Sequence, residues 1–174
     1  RIELLKTDIQ DWRITFIDTG MHACIGERLM AVRRHVAGEE CFLANYSDGL
    51  ADLDLNAMVA DFHARKVTAS FLSARSQQSF HAVLTDDDGY VTDVGGKASD
   101  YWVNAGFFVL RQDMCGRVEP GGERVGEPFR RLIPKRQLVS YRHPGFWRSM
   151  DTLKDKFMLD RMYAQGEAPW EVWR

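Results

Sequence analysis

The sequence predicts an α/β domain whose strands pair mainly in parallel. Short apolar runs at 41–46 and 67–72 have the length and the β-branched or aromatic content of buried strands. Between them Leu55, Met58, Val59 and Phe62 recur at the spacing of one helix face. Strand, helix and strand in that order leave the helix on the sheet and the two strands parallel.

Other elements fall on either side of this unit. Residues 12–18 alternate in polarity and read as a strand ended by Thr19-Gly20, and Leu29, Val32 and Val36 give a helix over 27–36. Asp54, just before the apolar stripe, is a natural helix cap. Residues 80–84 and 90–94, joined by Asp86-Asp87-Asp88-Gly89, form a hairpin with an acidic turn. The run 102–110 is a strongly apolar buried strand, 127–132 a short helix and 137–141 a further strand. Residues 152–165 make a long last helix, apolar over a wide arc and closed by Gly166. The glycine- and charge-rich stretch 114–126 is expected to be a flexible loop.

Composition narrows the function classes. A length of 174 residues with 45% apolar and 28% charged content fits one soluble domain. A net charge of −2 gives no electrostatic case for nucleic acid or membrane partners. Cys24, Cys41 and Cys115 are odd in number and irregularly spaced, which argues against a disulfide framework or a zinc site and for reduced thiols in the cytoplasm. No stretch reaches membrane-spanning length and none reads as a signal peptide. The opening Arg1-Ile2-Glu3-Leu4 lacks an initiator methionine, so a single domain over 1–174, incomplete at its N-terminus, is expected.

The candidate chemistry lies in carboxylates. Ser47-Asp48-Gly49 ends the 41–46 strand, and ligands of open α/β sheets sit beyond the carboxyl ends of strands. Asp151 follows the aromatic stretch 144–150. Turn chemistry alone would explain Asp48, and helix capping alone would explain Asp151. Asp52-Leu53-Asp54 is a rival, resembling the Asp-x-Asp of metal-dependent glycosyltransferases. Arg28 stands at a helix start, where backbone N–H groups favour anions. Asn104-Ala105-Gly106 interrupts a buried strand, through either a close ligand approach or a β-bulge. The histidines show no ligand spacing, and no Ser or Cys has the context of a nucleophile.

In order along the chain, Ile17-Asp18-Thr19-Gly20 with Gly26 and Arg28, Tyr46-Ser47-Asp48-Gly49-Leu50-Ala51-Asp52, the 102–110 strand and Glu127-Pro128-Phe129 are followed by His143-Pro144-Gly145-Phe146-Trp147-Arg148-Ser149-Met150-Asp151-Thr152-Leu153 and Ala168-Pro169-Trp170. This series resembles the glucose-1-phosphate cytidylyltransferase family of sugar-1-phosphate nucleotidyltransferases. The resemblance implies a Rossmann-like nucleotide-diphospho-sugar transferase fold, with a mixed, mainly parallel sheet flanked by helices and truncated at its N-terminus. It also implies Mg²⁺ held by Asp48 and Asp151, Arg28 and Ser47 on the nucleotide side, and Asn104, Gly106 and Lys97 on the sugar-phosphate side. The implied substrates are small molecules, an NTP (CTP) and a sugar-1-phosphate (glucose-1-phosphate), and the implied setting is nucleotide-sugar and polysaccharide biosynthesis.

Three departures stand out. The family's upstream glycine-rich triphosphate loop is absent, so this stretch alone is expected to be inactive. Gly96-Lys97-Ala98 replaces Glu-Lys-Pro, and Ala105 replaces a glycine, which narrows the sugar pocket. A glycosyltransferase using Asp52 and Asp54, or a non-catalytic module of the same fold, are the alternatives. Trp170 and Trp173 in the tail are expected to serve a homo-oligomer contact.

Overall fold

The computed structural model describes residues 13–75, 81–97, 102–117 and 126–173. The elements, in chain order, are α1 (Ile25–Val32), β1 (Cys41–Asn45), β2 (Gly49–Ala51), α2 (Leu55–Arg65), β3 (Ala69–Arg75), β4 (His81–Thr85), β5 (Val91–Lys97), β6 (Trp102–Arg111), α3 (Gly126–Leu132), β7 (Leu138–His143), β8 (Trp147–Ser149) and α4 (Leu153–Ala164).

The main sheet has the order β1-β6-β3-β7. Here the expectation of mainly parallel pairing is corrected. β6 pairs antiparallel with both β1 and β3, and β3–β7 is the parallel pair of this sheet. The cause is an insertion. Because β6 opposes both neighbours, β1 and β3 do run in one direction, as the strand–helix–strand order requires, but they flank β6 instead of touching. β6 is suited to that central place: Phe108, Val109 and Leu110 are buried in succession, so both of its faces are covered.

Alternation along β6 separates two cores. Val109 and Ala105 join Leu53, Met58, Phe62, Val67 and Leu72 beneath α2, while Phe108 and Leu110 join Ala69, Met114 and Leu132 on the other side. α2 begins as expected, with the Asp54 carboxylate accepting the Ala57 N–H at 3.0 Å. Met58 and Phe62 face fully inward.

The β4–β5 hairpin forms around its acidic turn, whose Asp86 carboxylate accepts the Asp88 and Tyr90 amides. Other expectations fail for identifiable reasons. Residues 13–20 carry no regular structure, and Ile14 and Phe16 stay exposed, because no described strand pairs with them. The stretch expected to be a loop begins with a 3₁₀ turn, Gln112–Arg117, whose Met114 and Cys115 are buried, Met114 within the second core; residues 118–125 lie outside the described residues. Burial also pushes the Cys115 thiol above its ordinary pKa. Trp170 is not an exposed contact residue: it is buried against Phe146, with ring centroids 5.5 Å apart, while Trp173 remains exposed.

Candidate active site

Two three-residue strands build the site, and neither is visible as a strand in the sequence. β2 and β8 pair antiparallel, Gly49 opposite Ser149 and Ala51 opposite Trp147. Backbone bonds extend the ladder at both ends: Met150 N–H donates to Asp48 O at 2.8 Å, and Asp52 N–H to Phe146 O at 3.2 Å. The first of these rungs brings Asp48 and Asp151, distant in sequence, to the same end of one ribbon.

Both carboxylates line an open cleft of about 180 Å³, together with Tyr46, Gly49, Asn104, Ala105, Trp147 and Ser149. Asp151 accepts the Ser149 hydroxyl at 2.6 Å through Oδ2. It does not cap α4. Thr152 does, its Oγ1 accepting the Asp155 N–H while the Asp155 carboxylate accepts the Thr152 N–H at 2.9 Å. That reciprocal box leaves Asp151 one position outside the helix, facing the cleft.

The ribbon is tied to the main sheet by Trp147, whose Nε1–H donates to Ala105 O at 2.9 Å. Tyr46 forms the adjoining wall. Its N–H donates to Gly106 O at 2.9 Å, its ring meets Phe108 edge to face, and its hydroxyl bonds the Asn104 side chain. Burial raises the Tyr46 pKa, the Asn104 bond works against this, and the Asp48 charge adds to it, so the hydroxyl keeps its proton at neutral pH. Behind Tyr46 lies a separate apolar cavity of about 100 Å³, bounded by Leu29, Phe108 and Phe129 among others.

The Asn104–Gly106 interruption resolves as a bulge. The β3–β6 register shifts between Phe71 and Ser73, Gly106 has φ +83°, and Asn104 Oδ1 accepts the Gly106 N–H at 3.0 Å. A Cβ on Gly106 would stand 2.8 Å from the Tyr46 ring, so the close approach here is by Tyr46.

The remaining candidates are dispersed. Ser47 is exposed in the turn after β1 and does not line the cleft. Arg28 is bound to its own preceding loop, through Nε to Ala23 O at 2.9 Å and Nη1 to Thr19 Oγ1 at 3.0 Å. Lys97 ends β5 opposite His81, and of Lys97 only the backbone is described. The rival pair Asp52 and Asp54 is already engaged: Asp54 caps α2, and Asp52 Oδ1 lies 2.6 Å from His143 Nε2. Among the described residues no group of three or more His, Cys, Asp or Glu side chains is placed to hold a metal. No described helix is long and apolar enough to cross a membrane.

Tyr46, Trp147 and Ser149 were not among the sequence candidates. Each lies within a stretch that carries the family resemblance, and an aromatic residue or a hydroxyl near a candidate carboxylate was the available signal.

A glucose-1-phosphate cytidylyltransferase of Salmonella typhi is 34% identical to this chain, over 99% of this chain and 68% of that protein. The chain belongs to the glucose-1-phosphate cytidylyltransferase family. A relative from Bacillus subtilis (strain 168), named a probable glucose-1-phosphate cytidylyltransferase, is 32% identical over 94% of this chain and 65% of its own length. No family model matches. Among solved structures, apo UDP-glucose pyrophosphorylase superposes with a TM-score of 0.64 at 11% identity, covering 87% of this chain and 64% of that one. The fold is therefore that of the nucleotidyltransferases, and the chain spans about two thirds of the length of these relatives.

Proposed function

We propose that this protein is a Mg²⁺-dependent sugar-1-phosphate nucleotidyltransferase joining glucose-1-phosphate to CTP, with CDP-glucose and pyrophosphate as products. The observation that carries this reading is the β2–β8 ribbon, which sets Asp48 and Asp151 in one cleft within a chain of this family. An all-oxygen donor set of two carboxylates suits a hard cation that keeps water and phosphate among its ligands. Mg²⁺, when bound, neutralises phosphate charge and aligns the reacting groups.

The chemistry asks little else of the chain. A sugar-phosphate oxygen bonds to the α-phosphorus of the NTP, and the bond from that phosphorus to the bridging oxygen breaks, releasing pyrophosphate. The attacking oxygen is already ionised, so no general base is needed, in keeping with a cleft whose described lining contains no His or Cys. The tasks are charge balance and alignment. Asp48 and Asp151 hold the cation. The protonated Tyr46 hydroxyl and the Asn104 amide offer hydrogen bonds at the sugar-phosphate side, and the Gly106 bulge shapes that wall. Arg28, which bonds the Thr19–Ala23 loop, and Ser47 are assigned to the nucleotide side, and Lys97 to the sugar-phosphate side, by the family resemblance. The glycosyltransferase alternative loses support because Asp52 and Asp54 already have partners.

The test is pyrophosphate release by the product of the complete gene with Mg²⁺, each of the four NTPs and a panel of sugar-1-phosphates. Release that favours CTP with glucose-1-phosphate is expected. Release with another pair would keep the chemistry and discard the named substrates, and no release with any pair would overturn the reading.

A further inference from the structure

His143 ends β7 and is buried, with 9% of its surface exposed. Its Nε2 lies 2.6 Å from Asp52 Oδ1 and 3.2 Å from the Phe146 carbonyl oxygen. An ionised carboxylate and a carbonyl can only accept, so the shared proton belongs to His143 Nε2. The same Phe146 carbonyl also accepts the Asp52 N–H, so a backbone rung and the imidazole converge on one oxygen. Gly145 completes the fit. A Cβ there would come within 2.5 Å of Asp52 Oδ1 and 2.8 Å of His143 Cε1, so a larger residue would displace the pair.

These contacts join three places: the end of β7, the residue after β2 and the residue before β8. The ribbon beyond them is only three residue pairs long and is a separate two-stranded sheet. A two-stranded pair of that size is marginal in water without outside support. Its geometry must be imposed where it is anchored, and the Trp147–Ala105 bond is one such anchor.

Taking Asp48 and Asp151 as the metal carboxylates proposed above, we propose that Asp52 and His143 are a positioning pair that locks β8 in register with β2, so that the two carboxylates meet in one cleft. Neither residue lines that cleft. Their influence passes along the ribbon to the Met150–Asp48 rung.

The test uses the full-length protein with His143→Phe, which removes the donor at similar bulk, and His143→Gln, whose amide N–H can reach the place of the imidazole Nε2–H. The Mg²⁺ activation constant for pyrophosphate release should rise roughly 10- to 100-fold in His143→Phe, the range for groups that orient metal ligands. His143→Gln should restore most of it. Amide exchange at Met150, measured without metal or substrate, should quicken by about tenfold or more in His143→Phe as the local rung opens.

A folded His143→Phe enzyme with unchanged Mg²⁺ dependence and unchanged Met150 exchange would overturn the pairing. Should that variant not fold, Asp52→Asn, which keeps the shape and weakens the acceptor, should show both shifts at smaller amplitude, and neither shift would again overturn it. If the unaltered protein releases no pyrophosphate, the reaction reading falls by itself, and Met150 exchange alone decides whether the pair holds the ribbon.

Discussion

The four-stranded sheet and the β2–β8 ribbon are built in opposite ways. β6 spans ten residues, five of them buried, and five of the seven residues of β3 are buried. β2 and β8 have three residues each, all half-buried, and rely on ties at their ends. The sheet is held by burial that no single contact dominates. The ribbon depends on a few directed bonds: Met150 to Asp48, Trp147 to Ala105, and His143 with Asp52. The candidate chemistry sits on the ribbon, and rigidity for it comes from the sheet. Substitutions in the two regions should therefore fail differently, the ribbon in turnover and the sheet in folding.

The sharpest form of that contrast sets Asp48→Asn or Asp151→Asn against Phe62→Ala. Either Asn variant should lose on the order of a thousandfold in kcat, a loss of several kcal/mol in transition-state stabilisation, with a thermal midpoint close to that of the unaltered protein. Phe62→Ala should cost about 3–5 kcal/mol of folding stability while the molecules that remain folded keep their kcat. Denaturant melts beside pyrophosphate assays would check both. Asn variants with near-normal turnover would break the comparison at its active end.

A narrower test lies where the two regions meet. Gly106 is in the left-handed region, and its missing side chain makes room for the Tyr46 ring. Gly106→Ala should cost roughly 1–3 kcal/mol, the scale of a strained backbone position. It should also lower kcat, because Tyr46 would be pushed from the wall it shares with Asp48 and Asn104. A stability loss without a change in kcat would mean that the bulge serves the sheet alone.

The same contrast explains what could be read from the sequence. Sheet and helices announce themselves through periodicity: the Met58 and Phe62 stripe, the 102–110 run and the Asp54 cap were all legible. β2 and β8 were not, because three residues carry no period. Asp48 and Asp151 stood out through the turn after β1 and through family motifs, but their proximity depends on a pairing that only the folded chain displays. Asp151 was also legible as a helix cap, but the Thr152-x-x-Asp155 spacing is the local pattern of a capping box, and the reciprocal bonding of Thr152 with Asp155 decides the matter. The direction of β6 was hidden for another reason. Insertion between β1 and β3 is a long-range choice that no local pattern encodes.

The smallest expected effect concerns that cap. The Asp155 carboxyl has its pKa lowered, first by its bond from the Thr152 hydroxyl, so the folded state favours the ionised form. The unfolded chain binds its proton more readily, and the resulting stability is fully present above the ordinary carboxylate range. It is lost as pH falls below about 4, toward the lowered folded value. Thr152→Ala should cost about 1 kcal/mol at neutral pH and should flatten this acid-side dependence, because the bond that lowers the Asp155 pKa is gone. Melts across pH 2 to 7 on both proteins would show the two curves converging at the acid end. Thr152 immediately follows Asp151, so the cap also fixes where the Asp151 carboxylate stands before the helix, and kcat in Thr152→Ala should fall by a few fold at most. A fall as large as that of Asp151→Asn would mean that the ribbon does not hold Asp151 by itself and that α4 shares in building the site.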